Sequence, residues 1–223
     1  MNDSTLLAIE SSTSQCSIAI YAHGRMHEKS FNQPRKHLEM MYSAFDDLLI
    51  EAGISKGSFD GVLVGQGPGQ FTGLRVALGF AQGLAYSLKI PLFAVSSLAI
   101  IVKAQLRNVS FSQANIAMNA RQNYVYYGVY DVKKSVVTAA QKDICLTVDQ
   151  WLCIPRDSMT SFIDSTFDWG ESWVKESGSD RFFYEKPLAS DLIQYVLDAE
   201  IANDQWKKPT DVYLNYLRHD VAN

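Results

Sequence analysis

Two stretches carry the residue types from which phosphate chemistry is built. Glu10-Ser11-Ser12-Thr13-Ser14 sets an acid before a run of hydroxyls, and GQGPGQFTGLR, residues 65–75, runs a glycine-rich loop toward a helix. A strand leading through glycines into a helix N-terminus attracts anions through its free N–H groups. The Walker pattern fails here, because Gly73 is followed by Leu74 and Arg75 rather than Lys and Ser or Thr. The dinucleotide fingerprint also fails, since its third glycine falls on Gln70 or Thr72. The competing reading is a tight turn in which Pro68 fixes φ and Thr72 caps the helix. Both readings stay open on the loop residues Gly67, Pro68, Gly69, Phe71, Thr72, Gly73 and Arg75.

The acid loop is similarly divided. Serines stand where a glycine would let phosphate reach the backbone, so Glu10, Ser12 and Thr13 read as a degenerate loop or as a residual nucleotide contact. Asn119-Ala120-Arg121 is the matching loop of the second half, with an amide where a carboxylate would hold a metal-bound water. Asn119 and Arg121 complete the candidate nucleotide set. His37 lies beside Arg35 and Lys36 near a helix start, where a lone histidine reads more readily as a surface or capping group. No Ser/His/Asp set and no HExxH occurs, and no metal site is expected.

The elements that must position these residues are legible over the first half. TLLAIE (5–10), CSIAIYA (16–22) and residues 25–31 read as strands of a meander, with a turn at 22–24. A helix over 35–52 places Leu38, Met41, Tyr42, Phe45, Leu48, Leu49 and Ala52 on one face, widened by Met40 and Ala44, and stops at Gly53. FDGVLVG (59–65) is a strand, 72–88 a helix and PLFAV (91–95) another strand. The pattern restarts with strands over 114–120 and 123–131 and a possible return over 132–138. A shift of 109 lays Ala19-Ile20-Tyr21 over Gly128-Val129-Tyr130 and Glu10 over Asn119, a weak internal repeat. Two lobes follow, 1–105 and 106–223. The tyrosines at 124, 126, 127 and 130 read as sheet packing rather than a stacking platform. Residues 139–188 give little signal, and a helix over 190–202 has Ser190 as its expected N-cap.

The helix 72–88 poses a sharper question. Gly79 and Gly83 sit in its interior, where each costs about 1 kcal/mol against alanine. They are four apart and line one edge, leaving Arg75, Gln82 and Tyr86 as a narrow polar strip. Small residues at this spacing let another helix approach closely. That helix is either 35–52 of the same chain or part of a second protein. Met40, Met41, Ala44, Phe45, Val76, Gly79 and Gly83 then lie on or under a contact made by both helices.

Composition narrows the field. The chain has 47% hydrophobic and 20% charged residues and a formal net charge of −4, an ordinary globular balance without a basic stripe. Solo nucleic-acid binding is therefore disfavoured. Three scattered cysteines make neither a disulfide framework nor a zinc site. The N-terminal residues lack a basic region and a long apolar core, and no apolar run approaches the roughly 18 residues of a membrane helix. A cytoplasmic protein is expected.

LLAIESSTSQCSIAIY, PRKHLEMM, FDGVLVGQGPGQFTGLRVALGFAQGLAYSLKIPLFAVSSLA, NARQNYVYYGVYD and the tail YLRHDVA together resemble the TsaB (YeaZ) family. The likeness is strongest over 5–99, and its specific motif is GxGPGxFTGxR. The resemblance implies an α/β, two-lobed actin-like ATPase (ASKHA, ribonuclease H-like) fold, each lobe a mixed sheet with helices. It implies a role in forming N6-threonylcarbamoyladenosine next to the tRNA anticodon, as the non-catalytic partner of the longer paralogue TsaD. The two would pair through the helices at 35–52 and 72–88, and a TsaE-type ATPase would join them. Homodimers through the same surface, ATP or ADP at the partner interface or on the ATPase, and tRNA contact only within the complex are also implied, with no intrinsic cofactor. The catalytic paralogue carries V-H-H-M-E-G-H after the strand matching PLFAV, where this chain has Ser97 and Ile101 at the ligand positions. Isoleucine cannot bind a metal. The family usually has aspartate at Glu10 and at Asn119. The alternative is a stand-alone small ASKHA ATPase or sugar kinase, which needs a Mg²⁺-binding carboxylate at Glu10 and an intact phosphate loop.

Overall fold

A computed structural model describes residues 4–32, 37–155, 159–168, 170–175, 181–201 and 205–217. The helix start expected at 35 and most of the tail motif lie outside the described residues, as does the side chain of His37, while the helix expected over 190–202 ends earlier, at Ala199, with Glu200 in a left-handed cap.

The apolar runs of the first half become β1 (Leu6–Glu10), β2 (Cys16–Ala22) and β3 (Arg25–Phe31), followed by α1 (His37–Ala52), β4 (Gly61–Gly65), α2 (Phe71–Leu88), β5 (Leu92–Val95) and α3 (Ser97–Gln105). Every residue of β1 and β4 is buried, as expected of strands covered on both faces. The second half gives β6 (Gln113–Arg121), β7 (Tyr124–Lys133), β8 (Val136–Ala139), β9 (Ile144–Thr147), α4 (Val148–Leu152), β10 (Thr160–Ile163), α5 (Gly170–Lys175), β11 (Arg181–Phe183) and α6 (Ala189–Ala199).

The two sheets repeat one topology. The first runs β3-β2-β1-β4-β5 and the second β8-β7-β6-β10-β11 in the same sense. β1 pairs antiparallel with β2 and parallel with β4, while β6 pairs antiparallel with β7 and parallel with β10. The weak repeat in the sequence is thus a duplicated lobe, each with a mixed sheet, and the architecture is the two-lobed actin-like one.

The lobes are not separate cores. α3 leaves the first sheet to pack on β6, β7 and β8, and α6 crosses back onto β1 and β2. One cluster therefore joins Leu6, Ala8 and Leu63 of the first sheet to Ile116 and Phe162 of the second, through Leu98, Ile101, Leu192 and Val196 of the two helices. α3 was not legible as a helix, because SLAIIVKAQ is buried all round and carries no periodic polar face. Ser97 and Ile101, at the paralogue's ligand positions, are fully buried on it. Lys103 of α3 is buried and pairs with Asp198 of α6 while donating to Ser135 O at 3.0 Å.

The far face of the first sheet is covered by α1 and α2, and that of the second by α4 and α5 around Trp151. Tyr127 and Tyr130 are buried in the sheet, in keeping with a packing role. The expected Ser190 cap is replaced. The N-cap position of α6 is Leu188, whose N–H donates to Asp191 Oδ2 at 2.8 Å. Ser190 lies one residue inside the helix, and its N–H and hydroxyl both donate to Glu28 of β3.

Candidate functional site

The glycine loop is built by close backbone contact with the acid loop. A Cβ on Gly69 would stand 2.4 Å from Ser12 O, and one on Gly73 would stand 2.3 Å from Ser11 O. Neither carbonyl can retreat without moving the β1–β2 connection. Gln70 N donates to Ser12 O at 2.7 Å, Gly67 N to Ser97 Oγ at 3.1 Å, and Ser97 N to Gly67 O at 2.9 Å. Several of the N–H groups that a phosphate would need are therefore already spent on the chain itself. Thr72 is not the cap. Gln70 occupies the N-cap position without a side-chain bond, and Thr72 is exposed in the first helical turn. Pro68 follows Gly67 through a cis peptide bond.

The candidate nucleotide residues point inward or into local networks. Glu10 is 1% exposed, and Ser12 and Thr13 are buried with it. Glu10 Oε1 accepts from Ser12 N at 2.7 Å, while Oε2 is buried with no hydrogen-bond partner. Burial pushes the Glu10 carboxyl up from 4.5 to about 7. In the second lobe, Asn119 Nδ2 donates to Thr166 O and Oγ1 at 3.2 and 3.1 Å, and Asn119 Oδ1 accepts from Arg121 N at 2.8 Å. Arg121, Gln122 and Asn123 all take positive φ, which turns the β6–β7 hairpin sharply. Among the described residues, no cluster of His, Cys, Asp and Glu is placed to hold a metal ion.

Among the described residues, the glycine edge of α2 has no internal partner. A Cβ on Gly79 or Gly83 would meet nothing within 4 Å, and both residues are exposed. α1 packs on α2 through another row: Tyr42 meets Phe80 edge-on at 5.0 Å, and Phe80 meets Phe45 at 5.6 Å. Beneath them Phe45 stacks on Phe59 at 6.0 Å. Met41, Ala44 and Phe45 are thus core residues that support the surface rather than line it. Helical periodicity shows which face is apolar but not how wide the sheet beneath it is. Met40 and Val76 are half-buried at the margins. Leu38 and Tyr42, which the periodicity assigned to the buried face, are 48% and 56% exposed. Tyr86 is 70% exposed on α2. These three belong to the open surface.

A segment missed in the sequence flanks α2 on its other side. Residues 205–217 run back from the second lobe and bridge Leu92 through Lys207, with both hydrogen bonds at 2.9 Å. The Gln82 side-chain amide donates to Pro209 O at 2.8 Å and Val212 O at 2.9 Å. Arg75 Nε donates to Tyr216 OH at 3.1 Å, and its guanidinium lies 3.5 Å above the Phe71 ring. Asn215 N donates to Gln66 O at 2.8 Å, so the strap also fixes the start of the glycine loop. The signal in the sequence was the narrow polar strip of α2, of which Gln82 and Arg75 both bind this segment. Gln82→Ala leaves two carbonyls without their donor and is expected to lower stability by about 1–2 kcal/mol. Urea denaturation of the variant beside the wild type measures this.

Among the described residues no helix is long and apolar enough to cross a membrane. The model of the family described as "TsaD: tRNA N6-adenosine threonylcarbamoyltransferase" matches residues 27–192. The tRNA threonylcarbamoyladenosine biosynthesis protein TsaB of Haemophilus influenzae is 33% identical, covering 100% of this chain and 97% of its own. The protein of the same name from Buchnera aphidicola subsp. Schizaphis graminum is 30% identical over 86% of this chain and 92% of its own. The solved structure of YeaZ from Pseudomonas aeruginosa superposes with a TM-score of 0.83 at 31% identity, covering 96% of this chain and all of that one. With this likeness running through both lobes and the glycine loop in place, the chain belongs to the TsaB (YeaZ) family.

Proposed function

We propose that this chain acts in tRNA threonylcarbamoyladenosine biosynthesis as a non-catalytic subunit that pairs with a TsaD-type catalytic subunit and activates it. The observation that carries the reading is the open glycine edge. Two interior glycines weaken α2 by about 1 kcal/mol each, and among the described residues no atom uses the space they leave. A second polypeptide would use it. The exposed Leu38, Tyr42 and Tyr86 supply the apolar contact around that gap. Binding would hold the catalytic subunit in its competent arrangement, a population shift rather than chemistry on this chain.

In this reading a TsaE-type ATPase joins the pair, and ATP or ADP is bound by that ATPase or at the shared interface. tRNA is met only by the whole complex, in the cytoplasm. Alone, the same face is available for pairing two copies. The stand-alone ATPase or sugar kinase is disfavoured by Glu10, whose carboxyl is buried rather than presented to a nucleotide.

Co-expression with the TsaD-type subunit encoded in the same genome tests the proposal. A single species at the heterodimer mass is expected by size-exclusion chromatography, and the catalytic subunit should turn over only in its presence. Calorimetry with ATP and Mg²⁺ addresses the rival: micromolar binding with turnover by the isolated chain would overturn the non-catalytic reading.

A further inference from the structure

Glu10 stands where the loops of the first lobe converge, and the docking reading makes no use of it. β1 ends on it, and its Oε2 lies 2.1 Å from the point that a Cβ on Gly65 would occupy. Gly65 ends β4 and begins the glycine loop, and Ser97 Oγ of α3 is 3.4 Å from the same point. The glutamate carboxyl thus fills the space of a missing side chain and plugs the joint between three elements. The two residues that follow it, Ser11 and Ser12, are those against which Gly73 and Gly69 are pressed. One carboxyl oxygen has the Ser12 N–H, and the other is sealed from water without a donor. Burial outweighs the hydrogen bonds from Ser12 and Ser11 that favour the charged form, so an ionised carboxylate in that place is only partly compensated, whereas the neutral acid is tolerated.

We propose that Glu10 is a proton-dependent latch, whose neutral form seats the glycine loop 65–73 against the β1–β2 loop and whose ionised form loosens that seat. Among the described residues, the outside charge acting on Glu10 is Asp191 of α6, which further disfavours the carboxylate. Burial pushes Asp191 itself up to about 6. Cys16 of β2, pushed up to about 12 by burial, stays a neutral thiol, and Ser11, Ser12 and Ser97 bring no charge. The direction of the effect follows from linkage. Burial raises Glu10 from 4.5 to about 7, so closure takes up a proton. The closed loop is favoured most at acidic pH and loses that advantage as pH rises through 7. The loop's closed-to-open ratio falls about tenfold between pH 6 and pH 8.

The loop feeds directly into α2, so the latch also regulates the docking face. That last step rests on the proposed pairing, whereas the latch itself does not. Amide hydrogen exchange of the isolated full-length chain separates the two. Protection factors over residues 65–73 are expected to drop about tenfold from pH 6 to pH 8 in the wild type. They should stay flat in Glu10→Gln, while Asp191→Asn keeps the drop. A flat wild-type profile, or the same drop in Glu10→Gln, overturns the latch. As a readout that needs no variant, the ¹³C shift of the Glu10 carboxyl should titrate near neutrality in step with the Gly69 amide. Titration in the ordinary carboxylate range also overturns it. If the latch holds but affinity for the TsaD-type subunit is independent of pH, its regulatory role at the docking face fails and the latch remains.

Discussion

Gly79→Leu or Gly83→Leu is expected to abolish pairing with the TsaD-type subunit while making the isolated chain more stable. The two effects come from the same open space. A Cβ at either position meets nothing within 4 Å, so the new side chain enters solvent without disturbing a neighbour. Leucine is a better helix former than glycine by about 0.8 kcal/mol, which raises the melting temperature by about 2–3 °C in a chain of this size. At an interface the same side chain keeps the partner helix from approaching the backbone. Affinity should fall at least a hundredfold, about 2.7 kcal/mol. Paired measurements of melting and of heterodimer formation check both directions at once. Destabilised variants would show that the edge is covered by this chain. Stable variants that still pair would place the partner elsewhere.

The contrast with Met41, Ala44 and Phe45 shows where sequence reasoning stops. Spacing at 3.6 residues expected helices over 35–52 and 72–88, and the structure has them over 37–52 and 71–88, with Gly79 and Gly83 on one open edge. It could not say that Tyr42 is exposed while Met41, its neighbour, is fully buried, because that depends on where the helix rests. The first-lobe strands were legible because alternation and continuous apolar runs are local properties. α3 was not, since a helix buried between two sheets has no polar face to give it a period. The strap 205–217 was equally hidden. It holds α2 through main-chain carbonyls and one side-chain fork, and main-chain acceptors leave no mark on a sequence. The duplicated lobe was visible only as a faint repeat, yet the two sheets share one strand order. Topology here persists where side-chain identity does not. The acid loop shows the same limit. Glu10 and its serines read from their types alone as either a degenerate loop or a residual nucleotide contact, and the packing against Gly65, Gly69 and Gly73 shows the loop's own neighbours filling it.

That packing makes a prediction of opposite sign on the same helix. Gly73→Ala adds one methyl group, as Gly79→Ala does, and by helix propensity each should stabilise α2 by up to about 1 kcal/mol. At position 79 the methyl group is free, and a gain of that order is expected. At position 73 it would stand 2.3 Å from the Ser11 carbonyl oxygen and 2.7 Å from its hydroxyl oxygen. The hydroxyl can rotate away, but the carbonyl is main chain and belongs to the loop that also accepts the Gln70 N–H. Relief requires α2 and the β1–β2 loop to separate, which also strains the Glu10 plug between them. Overpacking of this kind costs about 1–3 kcal/mol when side chains can adjust, and backbone against backbone belongs at or above the upper end. A net loss of about 3 kcal/mol is therefore expected for Gly73→Ala, against a gain for Gly79→Ala. Urea midpoints of the two variants and the wild type decide it. If Gly73→Ala proves as stable as the wild type, the two loops can move apart freely. The glycine loop then cannot be what fixes the direction in which α2 leaves the sheet.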